Sequence, residues 1–242
     1  MTGPTSEPLR RLVQESGPGM TKFVVAALRP VMRLVSSYAW SGQENIPATG
    51  GVVLAPNHIS NFDPLVIAQY LVFAGRWPYF LAKASLFSAP VVGWVVRSAQ
   101  QIPVYRETPD AHQALAQARS ALTAGQVVIV YPEGTVTGDP QGWPMSGKRG
   151  AARLALETGC PLVPVGQWGA QSILGMKKIR PPRLVPRPTI SVRAGRPVPL
   201  DDLREPLSCG DPVQVATDRL MAAITVLVAQ LRNQPAPERG ES

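Results

Sequence analysis

Short apolar runs alternate with helical segments through most of this chain, and this alternation most constrains the fold. The runs typical of strands are bounded by glycine or proline, and they span 50–56, 78–83, 100–106, 126–132, 160–169 and 189–198. The segments typical of helices lie at 63–73, 85–96, 108–125, 147–159 and 211–234. Alternating strands and helices favour a sheet covered by helices on both faces. The sequence therefore predicts an α/β fold, a single-domain mixed β-sheet flanked by helices.

Two of these helices carry clear local start signals. Asp63 suits the N-cap of the helix at 63–73, and Pro64 suits its first helical position. Thr108 and Pro109 begin the helix at 108–125, and Gly125 ends it.

Composition divides the 242 residues into four segments. Residues 1–20 are polar, lack a signal-peptide layout and are predicted to be disordered. Residues 21–44 mix basic and apolar side chains, with one or two helices over 21–40; we expect them to lie in a membrane interface, the alternative being a core helix that packs on the domain. Residues 45–234 form the α/β domain, and 235–242 form a tail. No run of about 18 uncharged apolar residues exists, so no spanning helix is predicted.

The charge of the chain points to anionic partners. Lysine and arginine number 24 against 16 acidic residues, and the stretch from Met176 through Arg196 contains seven basic residues and no acidic one. An anionic membrane surface or an acidic carrier protein fits this excess better than nucleic acid, because the stretch is rich in proline and matches no common nucleic-acid module. A solvated basic loop is the alternative. Cys160 and Cys209 form neither a metal spacing nor a disulfide framework, which favours a reducing compartment.

The stretch APNHISNFDP, residues 55–64, holds one of only two histidines. It places His58 just after a buried strand and Asp63 at the start of a helix, and strand ends are where α/β sheets bind ligands. A carboxylate that accepts the Nδ1–H of a histidine frees Nε2 to take a proton. The spacing therefore allows a His–Asp pair, or a packed His58 beside a helix cap. The other histidine, His112, is predicted on a polar helix surface.

A second stretch, VYPEGTVTGD at 130–139, combines a strand end with a tight turn. Glycine lets the backbone approach a ligand, and the N–H groups of such a turn can face an anion.

These stretches together resemble the glycerolipid acyltransferases, which include the 1-acylglycerol-3-phosphate acyltransferases and are often called the PlsC family. NHISNFD matches the HxxxxD box, and YPEGT follows about seventy residues later as the second signature. The blocks IPVYR, PLVPVG and YFLAKASLF also fit in order. The resemblance covers roughly residues 45–200, which makes 45–234 an acyltransferase domain.

The resemblance implies that His58 is the general base and that Asp63 orients it. The acyl donor would be an acyl-CoA or an acyl carrier protein, the acceptor a lysophospholipid, and no cofactor or metal would be needed. The acceptor phosphate would meet Lys83, Arg106 and Arg149, with the turn Glu133, Gly134 and Thr135 shaping the site. Glu133 would hold basic side chains or backbone N–H groups.

One residue departs from the family pattern. The family commonly has arginine after Glu-Gly-Thr, and this chain has Val136. Either Lys148 or Arg149 substitutes, or the acceptor is not a plain lysophosphatidic acid. The alternatives are therefore transfer to glycerol 3-phosphate, another lysophospholipid or a lipid alcohol, and a non-catalytic lipid-binding protein. A hydrolase is disfavoured because the Gly-x-Ser-x-Gly elbow is missing. Because both substrates carry acyl chains, a peripheral, monotopic location on the cytoplasmic face of the cell membrane is expected, with 85–96 also in the interface.

Overall fold

The computed structural model describes residues 30, 32–104, 111–176, 185–204 and 210–237. Within these ranges seven strands form one sheet in the order β1-β7-β6-β2-β5-β3-β4. The strands are β1 (Ser37–Ser41), β2 (Val52–Pro56), β3 (Pro78–Lys83), β4 (Ile102–Val104), β5 (Val127–Ile129), β6 (Leu162–Trp168) and β7 (Thr189–Ala194). The helices are α1 (Asp63–Phe73), α2 (Pro90–Ser98), α3 (Ala111–Thr123), α4 (Gly150–Thr158), α5 (Gln171–Leu174) and α6 (Pro212–Arg232), with short 3-10 helices at Gln43–Asn45, Ala84–Ser88 and Asp201–Leu203.

The sheet is mixed, as the sequence predicts. β2 lies between β6 and β5, β3 lies between β5 and β4, and all of these neighbours are parallel. β7 runs antiparallel to β6, and β1 runs parallel to β7. Every residue of β2 is buried, which is typical of a central parallel strand covered on both faces.

Helices cover both faces of the sheet. The core on one face combines apolar side chains from α3, α4 and α6, and the core on the other face combines those from α1. Gly166 in β6 allows α6 to pack closely on the sheet, because a Cβ at this position would lie 2.7 Å from Leu227 Cβ of α6. The predicted α/β class with flanking helices is therefore confirmed.

The long helix α6 begins as its Asp–Pro start predicts. The carboxylate of Asp211 accepts hydrogen bonds from the N–H groups of Val213 and Gln214. By length and mean hydropathy, 21 residues and 1.3, it is the one helix in the described part of the chain that could cross a membrane. One of its faces packs against β6, however, and places Leu220 and Ile224 in the core.

The N-terminal segment differs from the prediction of helix over 21–40. Residues 32–35 are helical, but Ser37–Ser41 form β1, with Tyr38 opposite Ile190 of β7. The backbone N–H and C=O groups of this segment bond to β7, which lies about 150 residues later in the chain. Tertiary pairing of this kind overrides a local helical pattern. The predicted disordered segment 1–20 and residues 21–29 lie outside the described residues, as do 238–242 of the tail.

The segment predicted as an apolar helical hairpin at 85–96 is a 3-10 helix followed by α2. The two pieces lie close together because Gly93 has no side chain: a Cβ there would lie 2.3 Å from the Phe87 carbonyl oxygen. Arg97 donates a hydrogen bond to that same carbonyl. The predicted strand at 100–106 is described only as β4, and the four-residue helix α5 was not predicted.

Candidate active site

The site lies where the parallel strands end. Leu54 of β2, Ile129 of β5 and Phe80 of β3 stand at the same level of the sheet. The residues that follow each of them therefore emerge at one edge, which is the edge where open α/β sheets bind ligands. His58 follows β2, Glu133 follows β5, and Lys83 ends β3.

The contact that the HxxxxD spacing allows is present. His58 Nδ1 lies 2.8 Å from Asp63 Oδ2, and the carboxylate is fully buried. Because an ionised carboxylate only accepts, Nδ1 carries the proton and Nε2 has a free lone pair. Nε2 makes no hydrogen bond within the described ranges, and the His58 side chain is 14% exposed. The arrangement can take a proton from a group that reaches the site.

Asp63 does not cap α1 as its position suggests. Its Oδ2 turns back and accepts hydrogen bonds from the N–H groups of Ile59 and Ser60, at 2.7 and 2.9 Å, besides that from His58. The Ser60 hydroxyl accepts from the Phe62 N–H, as expected for a local turn. The loop is thus wound around the carboxylate, because donors from three consecutive residues, 58–60, converge on one oxygen.

Burial raises the pKa of Asp63 above its ordinary value. The hydrogen bond and the charge of His58, followed by the N–H groups of Ser60 and Ile59, act in the opposite direction. Two effects therefore oppose each other at Asp63: desolvation favours the protonated carboxyl group, and the hydrogen-bond donors favour the ionised one.

The loop after β5 holds the backbone of His58 on both sides. Glu133 Oε1 accepts a hydrogen bond from the His58 N–H at 2.9 Å, and Oε2 accepts one from the Met145 N–H at 3.1 Å. The Thr137 N–H donates to the His58 carbonyl oxygen at 2.7 Å. Burial raises the pKa of Glu133, and the N–H groups of Met145 and His58 oppose that rise. Glu133 thus binds backbone N–H groups, one of the two alternatives that the sequence left open.

The turn beside Glu133 brings Lys148 over the backbone. Gly134 has φ +70°, a conformation that favours glycine, and a Cβ there would lie 3.1 Å from Lys148 Nζ. The Lys148 N–H donates to the Pro132 carbonyl oxygen, which fixes this approach. Thr135 is exposed, whereas Val136 is only 7% exposed and points into the protein.

Three further residues border the site, and the sequence did not single them out. The Tyr131 ring stacks on the His58 imidazole, with centroids 4.2 Å apart and planes 26° apart. Asn57, just after β2, and Gln167 of β6 are joined by three hydrogen bonds. Asn57 Nδ2 donates to the Gln167 carbonyl oxygen, the Gln167 N–H donates to Asn57 Oδ1, and Gln167 Nε2 donates to the Asn57 carbonyl oxygen. Tyr131 and Asn57 are the first residues of the stretches YPEGT and NHISNFD, which is the one signal that could have indicated them.

The other predicted residues have different surroundings. Lys83 is exposed at the end of β3 and forms no ion pair within the described ranges. Arg149 lies next to the turn, but its guanidinium pairs with Asp211 at 2.5 Å. Arg106 and the side chain of His112 lie outside the described residues. The described residues contain no cluster of histidine, cysteine, aspartate and glutamate that could hold a metal ion.

The sequence of this chain is similar to a known protein family and to several known proteins. The model of the family described as Acyltransferase matches residues 38–168, which include β1 from its second residue, both signature motifs and β6. The chain belongs to the acyltransferase family. A 1-acyl-sn-glycerol-3-phosphate acyltransferase of Bacillus subtilis is 30% identical over 156 residues, 63% of this chain and 73% of that protein. The enzyme of the same name from Borreliella burgdorferi is 33% identical over 129 residues, 52% of this chain and 48% of its own length.

Solved structures agree on the fold. The crystal structure of the 1-acyl-sn-glycerophosphate acyltransferase PlsC from Thermotoga maritima matches 90% of this chain and 83% of its own, with a TM-score of 0.64 and 24% identity. A chloroplastic 1-acyl-sn-glycerol-3-phosphate acyltransferase of Brassica napus is 28% identical, and the match covers 38% of its length. Of the three relatives compared by sequence, those from Borreliella burgdorferi and Brassica napus are therefore matched over less than half of their own length.

Proposed function

We propose that this acyltransferase moves a fatty acyl chain from an acyl-CoA or acyl carrier protein to the free hydroxyl of 1-acylglycerol 3-phosphate, forming phosphatidic acid. The observation that carries the proposal is the contact of His58 Nδ1 with Asp63 Oδ2 at 2.8 Å, which leaves Nε2 free at the ligand-binding edge of the sheet. The relatives named 1-acyl-sn-glycerol-3-phosphate acyltransferase support the choice of acceptor.

In the proposed reaction His58 Nε2 removes the proton from the acceptor hydroxyl as its oxygen attacks the thioester carbonyl carbon. Asp63 stabilises the imidazolium that forms. The tetrahedral intermediate then collapses, the carbon–sulfur bond breaks, and the thiolate leaves with the proton that His58 returns. The acyl chain passes directly to the acceptor, so the site needs a positioned base rather than a nucleophilic side chain.

The acceptor phosphate would lie between Lys83 and the turn at Glu133, Gly134 and Thr135. Lys148 supports this placement because its ammonium group lies over Gly134, while Val136 turns inward and offers no charge. Arg149 remains a predicted ligand, but binding would require its guanidinium to leave Asp211.

The proposed enzyme acts while bound peripherally to an anionic bilayer, at the cytoplasmic face. The 3-10 helix after Lys83 and α2 carry exposed apolar side chains, namely Leu86, Val91, Val92 and Trp94. No acidic residue occurs between Asp63 and Glu107. An apolar surface with cationic neighbours matches the interface of an anionic membrane, and it adjoins the edge that carries His58.

A matched pair of variants tests catalysis. In vesicles that supply 1-acylglycerol 3-phosphate, with acyl-CoA as donor, H58A should lose acyl transfer by at least about 100-fold while still binding the vesicles. H112A removes the other histidine and should transfer at the normal rate. Full activity of H58A would refute the proposal, and vesicle binding without transfer in the unmodified protein would favour the non-catalytic lipid-binding alternative.

A second pair tests membrane attachment. Val91→Asp places a charge on the exposed face of α2, and Val226→Asp does so on α6, where valine is 52% exposed. In flotation with phosphatidylglycerol-containing vesicles, V91D should bind less than the unmodified protein and V226D should bind equally. Equal binding of all three would exclude this face as the contact.

Val136 supports a second candidate function, transfer to an acceptor without this phosphate. Rates on 1-acylglycerol 3-phosphate and on uncharged monoacylglycerol separate the two. A strong preference for the phosphorylated acceptor supports the first proposal, and equal rates support the second.

A further inference from the structure

Tyr131 connects the His58–Asp63 pair to the neighbouring strand. Its ring lies against the imidazole of His58, with centroids 4.2 Å apart, and it also stacks with Phe80 of β3, with centroids 6.4 Å apart. The imidazole is therefore bounded by a ring that is itself held by a strand of the sheet. Rotation of His58 about its side-chain bonds would break this stacking as well as the hydrogen bond to Asp63.

The polar end of Tyr131 lies in an unusual environment. Its hydroxyl oxygen, Asp63 Oδ1 and Gln167 Oε1 are all buried, and none of them has a hydrogen-bond partner at close range. Buried polar atoms of this kind are rare because each costs free energy when unpaired. Of these three atoms only the hydroxyl carries a proton, and the other two are acceptors.

The surroundings of the Tyr131 hydroxyl favour its protonated form. Burial raises the pKa of the hydroxyl well above its ordinary value, the charge of Asp63 raises it further, and Gln167 acts in the opposite direction. The Asp63 charge and the burial both favour the protonated hydroxyl, which therefore keeps its proton at neutral pH. Gln167 is itself fixed, because its Nε2 donates to the Asn57 carbonyl oxygen at 2.6 Å.

We propose that Tyr131 is a positioning residue for the reaction: its ring holds the plane of the His58 imidazole, and its hydroxyl stabilises the ionised carboxylate of Asp63. The inference rests on the proposed function, because it assigns Tyr131 a part in the same proton transfer. Tyr131 acts through the pair and needs no contact with the substrate.

The proposal determines the sign of a pH effect. The titratable groups that face Asp63 from the described elements are His58, Tyr131 and, through the His58 backbone, Glu133, whereas β6 contributes the uncharged Gln167. The deprotonated His58–Asp63 pair carries one negative charge and the singly protonated pair carries none. The O–H dipole stabilises the negative pair, so its removal makes the pair take up a proton at a higher pH.

The experiment compares Tyr131→Phe, Tyr131→Leu and Tyr38→Phe with the unmodified protein across pH. Y131F keeps the ring and loses the hydroxyl, so the acidic limb of the kcat profile should move up by about 0.5–1 pH unit, with a roughly three- to tenfold lower kcat at neutral pH and an unchanged KM. Y131L also loses the stacking and should lose more kcat. Y38F removes a hydroxyl bonded to Gln69, away from the pair, and should move neither kcat nor the limb.

The outcomes separate the inference from the function. The role of the hydroxyl is overturned if the acidic limb of the kcat profile stays in place in Y131F, or if Y131F loses the same fraction of kcat at every pH. The role of the ring is overturned if the kcat of Y131L is no lower than that of Y131F. If H58A is inactive in the same assay, either result leaves the proposed function standing. If H58A is fully active, the function itself fails, whatever Tyr131 does.

Discussion

Replacing Asp63 with asparagine should separate catalysis from stability. The amide keeps an oxygen where Oδ2 accepts three N–H groups, from His58, Ile59 and Ser60. It removes the charge that stabilises the imidazolium, and positioned acid–base catalysis contributes about 10²- to 10⁴-fold. We therefore expect D63N to lower kcat by about 100-fold or more.

The free energy of unfolding should change little in the same variant. Three charge-assisted hydrogen bonds become neutral ones, but the buried charge and its desolvation cost disappear. The new Nδ2–H₂ also brings donors to the position of Oδ1, which is buried and has no hydrogen-bond partner. These effects oppose one another, and we expect a net change within about 1 kcal/mol near neutral pH.

The pH dependence of that free energy has a definite sign. Because the pKa of Asp63 is raised in the folded protein, the folded state holds the proton at pH values where the unfolded state has released it. The stability of the unmodified protein therefore falls, by at most about 1.4 kcal/mol per pH unit, as pH rises from the unfolded value through the raised one. D63N lacks this contribution, so its stability relative to the unmodified protein should rise over that window and then stay constant.

Urea unfolding followed by tryptophan emission measures the stability, and thiol release from acyl-CoA measures kcat on the same samples. Loss of more than about 2 kcal/mol, with activity that follows the folded fraction, would show that Asp63 serves the loop alone. A D63N enzyme that keeps more than about a tenth of kcat would refute the orienting role.

Two further variants test single contacts outside the His58–Asp63 pair, one made by Glu133 and one made by Arg232. E133Q replaces an acceptor of two backbone N–H groups with a side chain that can accept at one end only, so it should lose about 1–3 kcal/mol of unfolding free energy and much of kcat; unchanged stability in urea would contradict the two bonds. R232A removes a guanidinium that lies 4.0 Å from the Trp143 ring centroid and 4.3 Å from that of Trp168, so it should lose about 1–3 kcal/mol and change the indole emission, and R232K should recover part of both; an R232A protein with unchanged emission would contradict the stacking.

Two elements, whose start and end signals lie within their own sequence, were predicted with the correct bounds. An element that depends on pairing with a distant strand was not predicted. The bounds of α1 and β3 follow from the Asp–Pro start and from an apolar run between proline and lysine, and both signals lie inside the element. β1 has no such signal, because its strand conformation depends on pairing with β7. The same distinction explains why the helix predicted over 21–40 was wrong from Ser37 onward.

The candidate site divides in the same way. His58 and Asp63 are five residues apart, so their spacing alone indicated that they could meet. Gln167 lies 110 residues from Asn57, and no sequence motif indicates that the fold brings the two residues together. Arg149 was predicted as a phosphate ligand from its place near a motif, but the fold pairs its guanidinium with Asp211 at the start of α6. The local sequence does not indicate this distant partner.

The position of the imidazole depends on two kinds of contact that should fail separately. Asp63 sets the orientation of the ring from within its own loop, whereas the loop after β5 sets the position of the His58 backbone through Glu133 and Thr137. Loss of a local contact should therefore misorient a base that remains in place, and loss of a distant contact should displace a pair that stays intact. Because a base must lie within hydrogen-bonding distance of the proton it removes, either fault lowers kcat, but only the second should also destabilise the edge of the sheet.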